Sequence, residues 1–325
     1  MSEEYWLSFL ALLASTIRVV TPLILAALAG LFAERSGVVD IALEGKMLGA
    51  AFAAAATAAI TGSAWVGLGA GILVSVAFSL LHGLASITYK GNQVVSGMAL
   101  NILIAGLAPT LANAWFHQAG QTPLLSGDAR FSRIVLPGAE MIGQVPIIGP
   151  IYRDVISGHN ILVYLAAAAV PFTWWVIYRT RFGLRLRAAG ENPHALDTAG
   201  VSVAWVRYRA LIVCGALCGI AGTYLSIAHN AGFVRDMTAG KGYLALAALV
   251  FGKWRPLPTL LACLLFAFAD ALQIRLQGVV IPGIGQVPVQ FIQALPYILT
   301  VLLLAGFVGR AVAPKASGIP FVKDR

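Results

Sequence analysis

Residues Asp40 to Ala56 read "DIALEGKMLGAAFAAAA". Beyond Lys46 the stretch carries no charge and stays apolar to about Thr61, yet Asp40, Glu44 and Lys46 crowd its first seven positions. A charged side chain at mid-bilayer costs about 3 kcal/mol on insertion scales, so charge set into such a run asks for a cavity or a partner. The reading of the whole chain works outward from that contrast.

The 325 residues are 59% hydrophobic and only 11% charged, where an ordinary soluble domain carries about 25% charged residues. A hydrocarbon core takes roughly 20 apolar residues per helix. Apolar runs occur at 9–33, 40–61, 64–88, 92–116, 160–178, 205–228, 240–251, 256–276 and 287–308, of which 240–251 is too short to cross alone. The expected fold is an all-α, polytopic membrane bundle of about nine segments, read as one transmembrane domain over 1–325. All seven tryptophans, Trp6, Trp65, Trp115, Trp174, Trp175, Trp205 and Trp254, fall near the ends of these runs, as interfacial anchoring predicts. The acidic start "MSEEYWLS" lacks the basic region of a signal peptide, so the first run is expected to stay as a membrane helix.

Loop charge sets an orientation. Residues 179–209 hold Arg179, Arg181, Arg185, Arg187, Arg207 and Arg209 against Glu191 and Asp197, which places this loop in the cytoplasm. The loop 119–158 balances three arginines against three carboxylates and is expected outside. With 240–251 counted as one crossing, the N-terminus lies outside and the tail with Arg310, Lys315, Lys323 and Arg325 inside. The same bias explains the formal charge of +9 without nucleic acid. Cys214, Cys218 and Cys263 lie in apolar runs with no metal-ligand spacing and read as small packing residues.

"VVDIALEGKMLGAAF" after the first run echoes "FVRDMTAGKGYLALAAL" after the sixth, pairing Asp40 with Asp236, beside Arg235, and Gly45-Lys46 with Gly240-Lys241 when one gap is allowed. The two stretches enter the membrane from opposite sides, the pattern of an inverted repeat whose polar segments approach a shared pathway. Neither Gly-Lys pair is followed by Ser or Thr, so no phosphate-cradling loop forms, and HExxH and GxSxG are absent. The five histidines are scattered. An enzyme is not expected, nor a cofactor or metal, and uphill transport would draw on an ion gradient or a partner.

Several polar groups stand inside the runs. Arg18 lies about ten residues into the first; Asp270, Gln273 and Gln277 share one helical face by i, i+3, i+7 spacing; Gln290 and Gln293 precede Pro296; Asn92 and Asn101 flank the start of the fourth run. With Glu44 and Lys46 they offer a pathway for a polar, uncharged solute. They are equally able to bond one another between helices, with Arg18 paired to Glu44 or Asp270. Gly215 and Gly219 form a GxxxG and Ala53–Ala56 a small-residue run, both read as packing features.

"RAAGENPHALDTAGVSVAWVRYRA", Arg187 to Ala210, is too polar to span. Asn192 before Pro193 suits a helix start with Asn192 as cap, Ala195, Leu196 and Ala199 on one face, and an end at Gly200. A short capped helix projecting from a basic loop reads as a docking element.

"GENPHALDTAGV" resembles the cytoplasmic G-x-N-x-x-A-A-x-x-x-G-I motif of permeases in ABC importers for simple sugars and nucleosides, the branched-chain amino-acid/ribose type. "ERSGVVDIALEGKMLGA", "NQVVSGMALNIL" and "FVRDMTAGKGYLALAALVFGKWRPL" look like further blocks of that family in order, and "FADALQIRLQ" is similar to its nucleoside branch. The resemblance implies a bacterial inner-membrane subunit that passes a nucleoside or related sugar. It also implies a second permease, identical or not, a separate cytoplasmic ATPase that binds the ATP, and an extracytoplasmic binding protein or lipoprotein. Gly190, Asn192, Ala195 and Gly200 match the loop motif and, with Glu191 and Thr198 beside them, would form the coupling segment. Leu196 departs from the motif's second alanine, and Asp40, Ala42 and Lys46 stand where the family commonly has Asn, Gly and an uncharged residue, which leaves the substrate open. The alternative is an ion-coupled secondary transporter in which Asp40, Glu44 or Asp270 carries the coupling proton.

Overall fold

The computed structural model describes residues 3–137, 148–276 and 312–323, with isolated positions at 280, 281, 285, 286, 294, 298 and 301. In chain order its helices are α1 (Glu3–Arg35), α2 (Leu43–Thr61), α3 (Ala64–Gly83), α4 (Gln93–Phe116), α5 (Ile161–Arg179), α6 (Arg181–Glu191), α7 (Pro193–Thr198), α8 (Val203–Thr223), α9 (Lys241–Phe251) and α10 (Pro256–Leu276). Wide helical turns extend α3 through Leu84–Thr88 and α8 through Tyr224–His229. Among the described residues, α1, α2, α3, α4, α5, α8 and α10 are each long and apolar enough to cross a membrane, and α9 is a shorter apolar helix. The protein is therefore a polytopic helical membrane protein. The expected span 287–308 lies outside the described residues, as do Gln277, Gln290, Gln293 and Pro296. A two-residue antiparallel pairing, Val280–Ile281 with Gly285–Gln286, follows α10.

The apolar runs and the helices coincide closely, with two differences. α1 starts at Glu3, well before the apolar run proper, and α2 starts at Leu43, because 38–42 is irregular and bonded to its neighbours. The Val39 N–H donates to Gln93 Oε1 at 2.6 Å.

Burial distinguishes centre from rim: 72% of the most apolar window of α2 and of α8 is buried, against 28% for α3 and α4. α8 packs on α1, α2 and α3, while α1 also meets α5, α9 and α10. The GxxxG is the seam between α8 and α3. A Cβ at Gly215 would sit 2.7 Å from Val76 Cα, and one at Gly219 would sit 2.6 Å from Ile72 Cα, so only glycine lets these backbones approach. Lipid supplies no hydrophobic drive between helices, and such close contact is what holds them.

The bundle has two distinct ends. At one, the Arg35 guanidinium donates to the Trp254 carbonyl at 2.9 and 2.7 Å, and Arg207 donates to the carbonyls of Ser36 at 3.1 Å and Ile319 at 3.2 Å. The Ala316 N–H donates to the Gly190 carbonyl there at 2.8 Å, so the C-terminal segment 312–323 packs beside α6. At the other end the loop after α4 pairs with the loop after α8, with Leu125 N–H donating to the Ala231 carbonyl at 2.8 Å and Phe131 N–H to that of Ile227 at 3.1 Å.

Candidate functional site

The echo between the 40s and the 240s becomes a contact. α9 follows a loop in which Asp236, Ala239 and Gly240 all take positive φ, and its cap residue Gly240 has no side chain to receive the first N–H groups. Glu44 receives them: Oε1 accepts from Gly240 N–H at 2.8 Å and Oε2 from Gly242 N–H at 2.6 Å. A carboxylate is favoured there by unsatisfied N–H groups and by the positive end of the helix dipole. The approach requires glycine, since a Cβ at Gly242 would lie 2.4 Å from Glu44 N and 2.5 Å from its Cα. From this meeting point α2 runs toward the end that holds the 119–133 loop, and α9 toward the end that holds Trp254. Two helices thus begin together inside the bundle and leave in opposite directions, the arrangement of broken helices in inverted repeats.

Asn101 of α4 braces the junction. Its Oδ1 accepts from Gly45 N–H at 2.8 Å, and its Nδ2 donates to the Ile41 carbonyl and to Tyr243 Oη, both at 2.9 Å. Beside it opens a cavity of about 310 Å³ lined by Glu44, Asn101, Ile102, Asp236, Thr238 and Tyr243, near the small end of the range for small-molecule pockets, about 300–1,000 Å³. It offers two carboxylates, an amide, two hydroxyls and an aromatic ring. Ile102 and Tyr243 are exposed, so the cavity opens on the outer face of α4 and α9.

Asp40 and Lys46 form a separate arrangement. Both are fully buried and paired with each other; Asp40 Oδ1 also accepts from Ala42 N–H at 3.1 Å, and Cys214 Sγ–H donates to Oδ2 at 3.3 Å. His82 contacts the Val39 carbonyl and Ser96 Oγ, each at 3.1 Å. The pair therefore ties the irregular 38–42 segment to α2 and α8, and Lys46 does not line the cavity at Glu44.

The loop helix α7 is capped as its sequence predicts: Asn192 Oδ1 accepts from Ala195 N–H at 3.1 Å, and Gly200 ends the turn at φ +76°. Leu196 is buried against the bundle, while Glu191, Asn192, Ala195, Thr198 and Gly200 are exposed and Gly190 is buried beneath the C-terminal segment.

The model of a family described as "Branched-chain amino acid transport system / permease component" matches residues 12–307. The chain belongs to this permease family. The permease is similar to the guanosine ABC transporter permease protein NupQ of Bacillus subtilis, 37% identical over 96% of both chains. It is also similar to the nucleoside ABC transporter permease protein NupC of Lactococcus lactis, 35% identical over 94% of both. A glucose relative described as putative, TsgC13 of Haloferax volcanii, is 37% identical over 84% of this chain and 80% of its own. The family moves solutes and is not one of enzymes.

Other polar groups of the permease fall elsewhere. Asn92 caps α4, accepting from Val94 N–H at 2.9 Å and Val95 N–H at 3.1 Å. Arg18 Nη2 donates to Ser15 Oγ at 3.2 Å, and among the described residues it makes no ion pair with Glu44 or Asp270. Asp270 and Gln273 are half-buried on α10, Asp270 within electrostatic reach of Lys241. Arg235 and Asp236 form an exposed pair at 3.4 Å. Sequence reading passed over Tyr243, whose partner Asn101 is 142 positions away, and over the tail that covers Gly190. The family block containing "AGKGYL" was the one signal near Tyr243.

Proposed function

We propose that this permease is a membrane subunit of an ABC importer, and that it passes a nucleoside through the cavity between Glu44 and Tyr243. The observation that carries the reading is the meeting of two oppositely running helix starts at Glu44, with uncharged hydrogen-bonding groups and an aromatic ring beside them. A nucleoside presents hydroxyls and a ring face, and Asn101, Thr238 and Tyr243 complement both. The names of NupQ and NupC support a nucleoside, and that of TsgC13 makes a simple sugar the competing substrate.

The cavity opens on an exposed face of α4 and α9, which supports a second permease, identical or paralogous, completing the pathway from the other side. Asn192, Ala195, Thr198 and Gly200 present an exposed face for a cytoplasmic ATPase, and an extracytoplasmic binding protein delivers substrate at the opposite end. The arginine-rich α6 region and the C-terminal segment share one end of the bundle, which supports placing that end in the cytoplasm of a bacterial cell and the start of α1 outside. The chain acts as one transmembrane domain with 119–158 as its outer loop. Ion coupling through Asp40 or Glu44 fits the geometry poorly, because Asp40 is held by Lys46 and Glu44 by two backbone N–H groups, which leaves half-buried Asp270 as the carboxylate of that alternative.

The test is uptake of labelled guanosine and glucose into vesicles holding the permease, its partner, the ATPase and the binding protein. Guanosine uptake that needs ATP is expected. Uptake of glucose alone, or guanosine uptake that persists without the ATPase and collapses with the proton gradient, would overturn the reading.

A further inference from the structure

A second, larger cavity, about 850 Å³, lies at the end of the bundle opposite the coupling loop, between α1, α10, the turn that extends α8 and the loops that precede α5. Its wall carries Arg18, Arg130, Arg133 and Arg275 together with His159 and Asn160, and no Asp or Glu among the described residues. Among the described residues none of these four guanidiniums has a carboxylate in ion-pair distance. Their visible partners are neutral: Ser15 Oγ for Arg18 and the Ser8 carbonyl, at 2.5 Å, for Arg275. Arg130 Nε is buried and has no hydrogen-bond partner among the described residues.

Four like charges lining one open cavity repel one another, though solvent screens the exposed Arg133 and Arg275, and a buried guanidinium N–H without an acceptor adds a desolvation cost. α5 adds to the field, since its first turn, capped by Asn160, points the positive end of a 19-residue helix into the same wall. Burial holds the His159 imidazole below its ordinary range, and Arg18 and Arg133 push the same way against the bond to the Val155 carbonyl. A neutral nucleoside offsets none of this charge.

We propose that this cavity binds a phosphate-bearing ligand, whose oxygens bridge the Arg130 and Arg133 guanidiniums with Arg18 and Arg275 closing the site. Planar guanidiniums match phosphate oxygens in pairs, and an anion here removes both the repulsion and the orphaned N–H. The phosphate belongs either to the headgroup of an anionic lipid or to a soluble phosphorylated solute, and the chemistry of the wall is the same for both. The site is distinct from the Glu44 cavity and does not depend on which solute passes there.

Full-length permease in a neutral maltoside detergent separates the sources. Native mass spectrometry compares phosphatidylglycerol with net-neutral phosphatidylcholine, and calorimetric titration compares inorganic phosphate and guanosine 5′-monophosphate with guanosine. Selective retention of phosphatidylglycerol assigns the site to lipid; binding of phosphate, or of the monophosphate beyond what guanosine itself shows, assigns it to a soluble ligand. In either case Arg130→Gln, and independently the exposed Arg133→Gln, weakens the favoured probe about tenfold. Equal binding by wild type and both variants, or no preference for any of the anionic probes, overturns the proposal.

Discussion

Glu44 caps a helix that is not its own: its Oε2 takes the Gly242 N–H at 2.6 Å while Oε1 takes that of Gly240 at 2.8 Å. The start of α9 is thereby fixed to the start of α2 across 196 positions of sequence. Any movement of one helix start must carry the other or break two charge-assisted hydrogen bonds.

Glu44→Ala leaves two part-buried N–H groups without their acceptor beside an open cavity, each costing at most about 1–3 kcal/mol when unsatisfied. Glu44→Gln keeps one acceptor but loses the charge that favours the helix dipole. Guanosine uptake should fall in the order wild type, Gln, Ala, with thermal unfolding of the purified permease dropping in the same order. Full uptake by the Ala variant would remove Glu44 from the mechanism.

The Asp40–Lys46 pair sets up a different test. Removing one partner of a buried ion pair strands the other charge, at about 3–5 kcal/mol, whereas removing both replaces the pair with neutral packing at much smaller cost. Asp40→Asn and Lys46→Met should each lose most folded yield, and the double substitution should recover stability beyond either single one. A double variant no better than the worse single would mean that the two residues do not act as a pair.

How much of this was legible in the sequence follows from the range of each interaction. The spans were legible because apolar length is a local property, and so was the α7 cap, since Asn192 reaches only to Ala195. The echo of 40–46 and 236–241 gave the two segments but not their contact, because the hydrogen bond from Gly242 N–H to Glu44 spans 198 positions. Lys46 read as a pathway group because sequence shows a charge in an apolar run without showing that Asp40, six positions before it, turns back to meet it. The tail over Gly190 was illegible for a further reason: Ala316 donates through its backbone N–H, which carries no sequence signature.

Arg207 should govern that tail. It is almost wholly buried and donates at once to Ser36 O and Ile319 O, joining the end of α1 to the C-terminal segment. Arg207→Lys carries its three donors on one nitrogen and lacks the fork by which Nε and Nη1 reach the two carbonyls separately. Limited proteolysis should cut the 312–323 segment several times faster in this variant while the bundle stays intact. Unchanged cleavage would show that the tail's other contacts, Ala316 N–H to the Gly190 carbonyl, Gly318 N–H to the Gly37 carbonyl at 3.1 Å and Lys323 with Asp197 at 3.7 Å, hold it without Arg207.

Substitutions on the coupling segment separate docking from folding. Gly200 sits at φ +76°, where a β-branched side chain is strained by about 1–2 kcal/mol, and Asn192→Ala removes a cap worth about 1 kcal/mol. Both costs are local to an exposed six-residue helix. Gly200→Val and Asn192→Ala should therefore insert normally yet lose most substrate stimulation of ATPase activity in the reconstituted complex. Normal stimulation in both would mean the ATPase docks elsewhere.

Asn101 and Tyr243 share one hydrogen bond but should fail in different ways. Asn101 is buried, and all three of its bonds serve the junction, so Asn101→Leu leaves Gly45 N–H and the Ile41 carbonyl unpaired and should lower thermal stability by about 2–4 kcal/mol. Tyr243 is 42% exposed and its ring lines the cavity, so Tyr243→Phe leaves the Ile41 bond in place and should cost less than about 1 kcal/mol. On the proposed pathway its effect belongs in transport: the residue lines the cavity, and the Phe variant should raise the KM for guanosine several-fold at near-normal stability. If instead Tyr243→Phe destabilises as much as Asn101→Leu while leaving KM unchanged, the cavity is framework, and the solute passes along another face.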